Sequence, residues 1–174
     1  MFLDNFVPDE RVDSIYDIDL QRLKKEGIRG IITDLDNTLV GARDPLATPE
    51  LLEWLTHVRD IGLAVVIVSN NNRLRVSAFA EPIPLPYIHA ARKPVGRSFR
   101  QALGLLGVQP HEAVMLGDQL LTDVFGGKRI GLRTILVTPI SPKHEGVFTR
   151  FNRRVEKIIY RRLDRRRGTS REGQ

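Results

Sequence analysis

Short apolar runs alternate with segments of helical periodicity along most of the chain. The expected strands are residues 28–36, 63–71, 86–94, 113–119 and 133–139, and the expected helices are residues 49–62, 73–80, 96–107 and 120–131. Strands that alternate with helices form βαβ units with right-handed crossovers. The pattern therefore predicts an α/β fold with a five-stranded parallel sheet, preceded by an N-terminal arm over residues 1–26.

Polar side chains follow three of the expected strands. Asp34 and Asp36 end the first strand, Ser69 follows the second, and Asp118 ends the fourth. Open parallel sheets bind their ligands at the carboxyl ends of the strands. A carboxylate beside a buried strand is costly unless it is paired or used. We therefore expect a functional site at this edge of the sheet.

Each candidate has an ordinary explanation when it is taken alone. Ser69 suits a helix N-cap, Lys93 a solvated surface position, Asp118 a turn, and Asp123 an exposed helix face. A calcium loop of the EF-hand type starting at Asp34 is excluded, because a leucine and a proline stand where that loop needs glycine and glutamate.

The order of the motifs is far more specific than any one of them. The chain carries DLDNT (34–38), VIVSNN (66–71), ARKP (91–94) and GDQLLTD (117–123). Together they resemble the haloacid dehalogenase superfamily of phosphohydrolases over about residues 28–139. The resemblance implies a three-layer, Rossmann-like fold with strand order 5-4-1-2-3, in which the first and fourth strands are neighbours.

By this resemblance, Asp34 is the nucleophile that forms an aspartyl-phosphate, and Asp36 is the general acid and then the general base. Mg²⁺ is held by the side chains of Asp34 and Asp118 and by the backbone carbonyl of Asp36. Asp123 is either a direct ligand or a residue that supports one, and Thr38 braces the loop. Mg²⁺ suits this chemistry because it prefers oxygen ligands and neutralises phosphate charge.

The resemblance also assigns contacts to the phosphoryl group of the substrate. Ser69 donates to a phosphoryl oxygen, and Lys93 balances the crowded negative charge and stabilises the transition state. Asn70 is placed with them in the substrate-binding set. On their charge and position, Arg43 and Arg73 are further candidates for a phosphate contact.

The spacing of the motifs leaves no room for a cap domain. Ser69 follows Asp34 by 35 positions, and Lys93 follows Ser69 by 24. A short flap (residues 40–48), helices and strands fill these intervals. The site is therefore expected to be open, which suits a phosphate displayed on a lipid surface, a nucleic acid or a protein, or a substrate enclosed by another subunit.

Composition limits the class of protein further. The 174 residues include no cysteine, which excludes disulfides and thiolate metal sites. The longest apolar run, residues 63–68, is far shorter than the ~20 residues of a spanning helix, and the N-terminus lacks the features of a signal peptide. We expect a cytoplasmic protein, soluble or peripheral on the membrane, with a phosphatase domain over residues 1–140 (core about 27–140) and a basic appendage over 141–174.

The appendage holds the positive charge of the chain. The net charge is +6, and residues 150–174 hold ten basic and three acidic side chains. An apolar stripe at helical spacing opposes the arginines and consists of Phe148, Phe151, Val155, Ile158, Ile159 and Leu163. A basic amphipathic helix of this kind binds anionic membranes; the alternative is that the stripe packs on the sheet. Arginine-rich segments also bind RNA or DNA.

A closer resemblance is carried by residues 6–40, which are similar to the capless type IIIA subfamily of bacterial proteins related to the mitochondrial phosphatidylglycerophosphatase. It implies dephosphorylation of phosphatidylglycerophosphate to phosphatidylglycerol, a step towards cardiolipin, at an anionic membrane surface. Two alternatives stay open. One is a phosphatase of the same superfamily that acts on nucleic-acid ends or phosphoproteins. The other is an RNA- or ribosome-binding protein with a vestigial phosphatase fold.

Overall fold

The computed structural model describes residues 2–141 together with Lys157, Ile159 and Arg161. Its centre is a parallel sheet of six strands in the order β1-β6-β5-β2-β3-β4. The strands are β1 Glu10–Val12, β2 Gly30–Thr33, β3 Ala64–Val68, β4 Tyr87–Ile88, β5 Ala113–Gly117 and β6 Arg133–Val137. The α/β class and the predicted order of the five central strands are confirmed.

The helices cover both faces of this sheet. They are α1 Leu20–Lys25, α2 Pro49–Asp60, α3 Arg73–Ala80, α4 Gly96–Leu106 and α5 Phe125–Lys128, with 3₁₀ turns at Phe2–Phe6, Ile15–Asp17 and Pro110–Glu112. The helix expected over 120–131 is instead a π-helical turn, Leu120–Val124, followed by the short α5. Two glycines, Gly126 and Gly127, lie in α5 and disfavour a longer regular helix.

The core is divided by the sheet into two apolar layers. Because side chains alternate along a strand, Ile31 faces the cluster that contains residues of α1, α2 and α3, whereas Ile32 faces the cluster that contains residues of α4. All four residues of β2 are buried. This arrangement gives the three layers that the sequence predicts, with β2 at their centre.

Helix boundaries follow from local chemistry. Thr48 caps α2 by accepting a hydrogen bond from the Leu51 amide at 3.2 Å, and Pro49 occupies the first turn. Gly107 ends α4 in the left-handed conformation, with φ of 66°, which glycine adopts without strain. These caps start α2 at the carboxyl edge of the sheet and end α4 at the opposite edge.

The segment expected as an N-terminal arm adds a sixth strand to the sheet, so the predicted number of five strands is wrong. Strand β1 pairs in parallel with β6. The Asp9 carboxylate accepts hydrogen bonds from the amide of Thr134 at 2.8 Å and from its hydroxyl at 3.2 Å. Phe6 is buried and stacks on Phe125, with 4.4 Å between ring centroids. Phe6 therefore packs on the core.

The carboxyl edge of the sheet, where the predicted site residues lie, carries short connections. Between β2 and β3 the chain forms the flap and α2, and between β3 and β4 it forms α3. No described helix is long and apolar enough to cross a membrane. The predicted apolar stripe of the appendage falls outside the described residues, apart from Ile159, which is helical and half-buried.

Candidate active site

Three neighbouring strands bring the predicted polar residues to one edge. Strand β2 pairs with β3 on one side and with β5 on the other, so the predicted contact between the first and fourth expected strands is confirmed. Asp34, Ser69 and Asp118 each follow the last residue of their strand. All three are buried, and the parallel register places them at the same edge.

A tight turn follows β2. Asn37 has a left-handed backbone with φ of 63°, and its amide donates to the carbonyl of Val40 at 2.7 Å. The amide of Leu39 donates to the carbonyl of Leu35 at 3.0 Å. The Thr38 hydroxyl, expected to brace this loop, is buried and makes no hydrogen bond within the described part of the chain. The turn is therefore held by backbone hydrogen bonds.

Three buried carboxylates form the centre of the site. Oxygens of Asp34, Asp118 and Asp123 lie within 4.8 Å of one another. Asp123 comes from the π-helical turn and accepts a hydrogen bond from the Gln119 amide at 3.1 Å. Gly117 allows this approach, because a Cβ there would lie 2.3 Å from Cγ of Asp123. The aspartate supplied by the π turn is thus packed directly against the end of β5.

The donor set fits a hard divalent cation. Mg²⁺ binds carboxylate oxygens at about 2.1 Å, so oxygens that share one ion lie roughly 3–4 Å apart. The three carboxylates stand within 4.8 Å, close to that spacing. Zinc would favour nitrogen or sulfur ligands, and the cluster offers neither. Oxygen chemistry and geometry therefore both suit Mg²⁺.

Lys93 is buried inside this cluster. Its ammonium nitrogen lies 2.7 Å from Oδ1 of Asp123 and 3.0 Å from Oδ1 of Asp34, and its side chain is 1% exposed. The interpretation of Lys93 as a solvated surface residue is therefore wrong. Asn70 holds the backbone of Lys93, because its Oδ1 accepts from the Lys93 amide at 2.7 Å and its Nδ2 donates to the Lys93 carbonyl at 3.2 Å.

Burial and neighbouring charges both shift the pKa values of Asp34 and Lys93. Burial raises the pKa of Asp34 to about 7, and the charge of Asp123 adds to this, whereas Lys93 opposes it. Burial alone would lower the pKa of Lys93, but the charges of Asp123 and Asp34 outweigh it and raise that pKa. The ammonium form of Lys93 is therefore strongly favoured.

Asp36 is held by two residues that the sequence analysis missed. Arg75 donates to Oδ1 of Asp36 from Nη2 at 2.8 Å and from Nε at 3.1 Å, and Asn71 donates to Oδ2 at 2.9 Å. The guanidinium of Arg75 also lies 5.9 Å from the ring centre of Phe79. The sequence gives no signal that distinguishes Arg75 from Arg73 in the same turn, because the contact depends on how α3 lies against the turn after β2.

The remaining predicted contacts are divided between the centre and the surface. Ser69 lies in the centre, and its hydroxyl oxygen accepts from the Asn71 amide at 3.1 Å, so its proton can be donated elsewhere. Arg43 and Arg73 are exposed, and neither makes an ion pair with another described residue. The structure therefore brings together Asp34, Asp36, Ser69, Asn70, Lys93, Asp118 and Asp123, and leaves Arg43 and Arg73 on the rim.

Comparison with known proteins adds to this geometry. Residues 3–80 match the family model described as mitochondrial PGP phosphatase, and residues 90–141 match the one described as HAD-hydrolase-like. The probable phosphatase YqeG of Bacillus subtilis (strain 168) is 48% identical over 161 residues, which cover 92% of this chain and 93% of that protein. The chain belongs to the haloacid dehalogenase superfamily of phosphatases. Within the superfamily it is of the YqeG and PGP phosphatase type.

More distant relatives agree with this placement. Phosphatidylglycerophosphate phosphatase 1 of Arabidopsis thaliana is 27% identical over 166 residues; the match covers 90% of this chain and 47% of that protein, so the chain spans about half of its length. A HAD phosphatase structure from Thermococcus onnurineus superposes with a TM-score of 0.55 at 17% identity, covering 69% of this chain and 90% of that one. This structural likeness supports the fold.

Proposed function

We propose that this phosphatase removes the terminal phosphate of phosphatidylglycerophosphate in a Mg²⁺-dependent reaction and releases phosphatidylglycerol. The observation that carries the proposal is Lys93 buried among the carboxylates of Asp34, Asp118 and Asp123 at an edge of the sheet without a cap. The proteins of Arabidopsis thaliana and Chlamydomonas reinhardtii that are named phosphatidylglycerophosphate phosphatase 1 support the choice of substrate.

The metal ion would be held by this chain's own oxygens. The side chains of Asp34, Asp118 and Asp123 and the backbone carbonyl of Asp36 are the proposed ligands. When bound, Mg²⁺ supplies positive charge that offsets the repulsion between a carboxylate and a phosphate dianion. With all three carboxylates ionised, they and the one ammonium carry a net charge of −2, which a divalent cation would neutralise.

The first half of the reaction forms an acyl phosphate. Both described donors to the carboxylate of Asp34, Lys93 and the Leu35 amide at 2.8 Å, contact its Oδ1. Oδ2 is therefore the oxygen proposed to attack phosphorus. The bond between phosphorus and the glycerol oxygen breaks, and Asp36 gives its proton to that oxygen. Lys93 stabilises the negative charge on the phosphoryl oxygens during transfer.

The second half regenerates the enzyme. Asp36, now a carboxylate, takes a proton from a water molecule, and the water oxygen attacks phosphorus. The bond between phosphorus and Asp34 breaks, releasing inorganic phosphate. Arg75 and Asn71 fix the orientation of Asp36 in this cycle. Ser69 is proposed to donate to a phosphoryl oxygen throughout.

An uncovered site favours a large substrate. Neither interval between the motif strands holds a cap, because only the flap, α2 and α3 occupy them. A phosphate on a lipid headgroup can enter such a site while its acyl chains stay in the bilayer. We therefore propose peripheral association with the cytoplasmic face of the cell membrane, with the anionic lipid surface as partner.

A panel of substrates tests the proposal. Phosphate release is measured for phosphatidylglycerophosphate, a 3′-phosphorylated oligonucleotide, a phosphopeptide and a hexose phosphate, each with Mg²⁺ and with EDTA. The expected result is a kcat/KM for the lipid at least tenfold above the others. A preference for the oligonucleotide or phosphopeptide would overturn the lipid substrate, and no Mg²⁺-dependent release from any of them would support the vestigial, RNA-binding alternative.

A further inference from the structure

The edge of the sheet that carries the catalytic centre also carries the most exposed apolar side chains of the described residues. Leu74 is 80% exposed and Leu46 is 62% exposed. Leu46 lies in the flap and Leu74 in the first turn of α3, so both belong to connections that follow strands next to the centre. Single exposed leucines are ordinary, but two beside one site indicate a shared role in binding.

The two leucines lie on adjoining connections. Arg75, the residue after Leu74, binds Asp36 and lies 3.5 Å from the carbonyl oxygen of Gly41 at the start of the flap. Helix α3 is therefore fixed against the flap by the same contact that orients the acid/base candidate. Leu46 and Leu74 therefore lie on two connections that contact each other at the same edge of the sheet.

Three exposed arginines lie on the connections of the same edge. Arg43 and Arg73, each three or fewer residues from one of the leucines, and Arg92, in the connection before α4, are all exposed. None of the three makes an ion pair with another described residue. Arginines with exposed leucines between them match a bilayer surface, which offers anionic headgroups above an apolar layer.

Three acidic side chains, Asp13, Asp44 and Glu50, line a recess of about 290 Å³ between the flap and the end of β6. Asp44 also accepts a hydrogen bond from the Gly41 amide at 2.9 Å. The hydrogen bond to Gly41 and the position of Asp44 in this recess account for the one acidic side chain of the flap.

We propose that the surface formed by Leu46, Leu74, Arg43, Arg73 and Arg92, called the docking rim, binds an anionic lipid bilayer. The two leucines enter the apolar layer while the three arginines contact headgroup phosphates. This inference rests on the proposed function, since a lipid phosphate reaches Asp34 only when this edge faces the membrane. It assigns membrane contact to the catalytic edge itself, independently of the basic appendage.

The test uses the full chain carrying L46S and L74S together, with L105S as a matched control. Leu105 is 55% exposed and lies near the end of α4, at the opposite edge of the sheet. Binding to vesicles of phosphatidylglycerol and phosphatidylcholine is measured by co-sedimentation. Phosphate release is measured on vesicle-borne phosphatidylglycerophosphate and on a water-soluble, short-chain form of it.

The double variant is expected to lose at least about tenfold in vesicle affinity and in turnover of the vesicle-borne lipid, because binding scales with the apolar area buried. Its turnover of the short-chain form should match that of the control. Vesicle binding and turnover equal to the control would overturn the docking rim while leaving the proposed function intact. A wild type that binds vesicles but hydrolyses neither lipid would overturn the function alone, and a wild type that binds an oligonucleotide and not vesicles would overturn the docking rim.

Discussion

Replacing Lys93 by methionine tests the electrostatics of the centre. The substitution keeps the length of the side chain and removes one buried charge that lies 2.7 Å and 3.0 Å from two carboxylates. With 1% of the lysine side chain exposed, solvent screens these contacts very little. Removal leaves three buried carboxylates within 4.8 Å of one another without an ammonium between them.

The magnitude follows from the cost of breaking buried ion pairs. Removing one partner of such a pair destabilises a protein by about 3–5 kcal/mol. For a chain of this size, 1 kcal/mol corresponds to roughly 2–4 °C in Tm. We therefore expect K93M to lower the Tm in EDTA by about 6–20 °C. Mg²⁺ should restore part of this loss, because a cation that binds the folded state stabilises it.

The assay is thermal unfolding of the full chain with EDTA and with Mg²⁺. K25M is the matched control, because Lys25 is exposed and has no ion pair among the described residues. A K93M protein that unfolds within about 2 °C of this control in EDTA would refute the reasoning, since the carboxylates would then not depend on Lys93.

Three further substitutions follow from the same contacts. G117A should weaken the apparent affinity for Mg²⁺, measured by phosphate release and by thermal stabilisation, at least tenfold. The reason is that the new Cβ would lie 2.3 Å from the carboxylate of Asp123, a proposed metal ligand. R75A should lower kcat on a soluble substrate about tenfold with little change in KM, because it releases Asp36, and R75K should restore part of that loss. D9N should lower the Tm at pH 7. This loss of Tm should become smaller as the pH falls through the pKa of Asp9. Burial raises the pKa of Asp9, but the hydrogen bonds from Lys128 and the Thr134 amide outweigh burial, so that the pKa lies below its ordinary value.

The sign of the Asp9 effect follows from its lowered pKa. A carboxylate with a depressed folded-state pKa stabilises the protein above its unfolded pKa of about 3.9, and the effect is lost as it becomes protonated at lower pH. E53Q, at an exposed position of α2, is the control. A Tm difference between D9N and wild type that stays constant from pH 7 to pH 3 would contradict the assignment.

The other two variants also have matched controls. G104A changes a glycine of α4 with nothing within 4 Å of the added carbon, and should stabilise the helix by up to about 1 kcal/mol. G117A activity equal to that of G104A would show that the close approach is unimportant. R59A, in α2, is the control for R75A, and equal kcat values for the two would remove the positioning role of Arg75.

The sequence was most informative about the centre of the sheet. Strand β2 (GIIT) lacks charged residues and is followed by Asp34, so both its burial and the site at its end could be predicted. The order of the five central strands depended on the resemblance of the motifs, because apolar runs alone do not specify which strands are neighbours. The sixth strand was missed, since Glu10–Val12 has three residues, two of them charged, and is stabilised by contacts with β6 that are distant in sequence.

In the candidate site, too, some residues could be predicted from local sequence and others depend on contacts between distant segments. Strand ends located Asp34, Ser69 and Asp118, because the register of a parallel sheet fixes the edge on which they lie. The contact between Arg75 and Asp36 could not be placed in this way, since it depends on how α3 sits against the flap. The role of Asn70 in holding Lys93 likewise arises from the path of two connections, 23 residues apart in sequence.

The most direct test of the whole account is phosphate release from short-chain phosphatidylglycerophosphate by the wild type and by D34N. The substrate is soluble, so membrane binding does not limit the result. We predict release that requires Mg²⁺ and falls at least about a thousandfold in D34N, with D34N still folded by thermal unfolding. Equal rates for folded D34N and wild type, or full activity in EDTA, would contradict a metal-assisted reaction through Asp34.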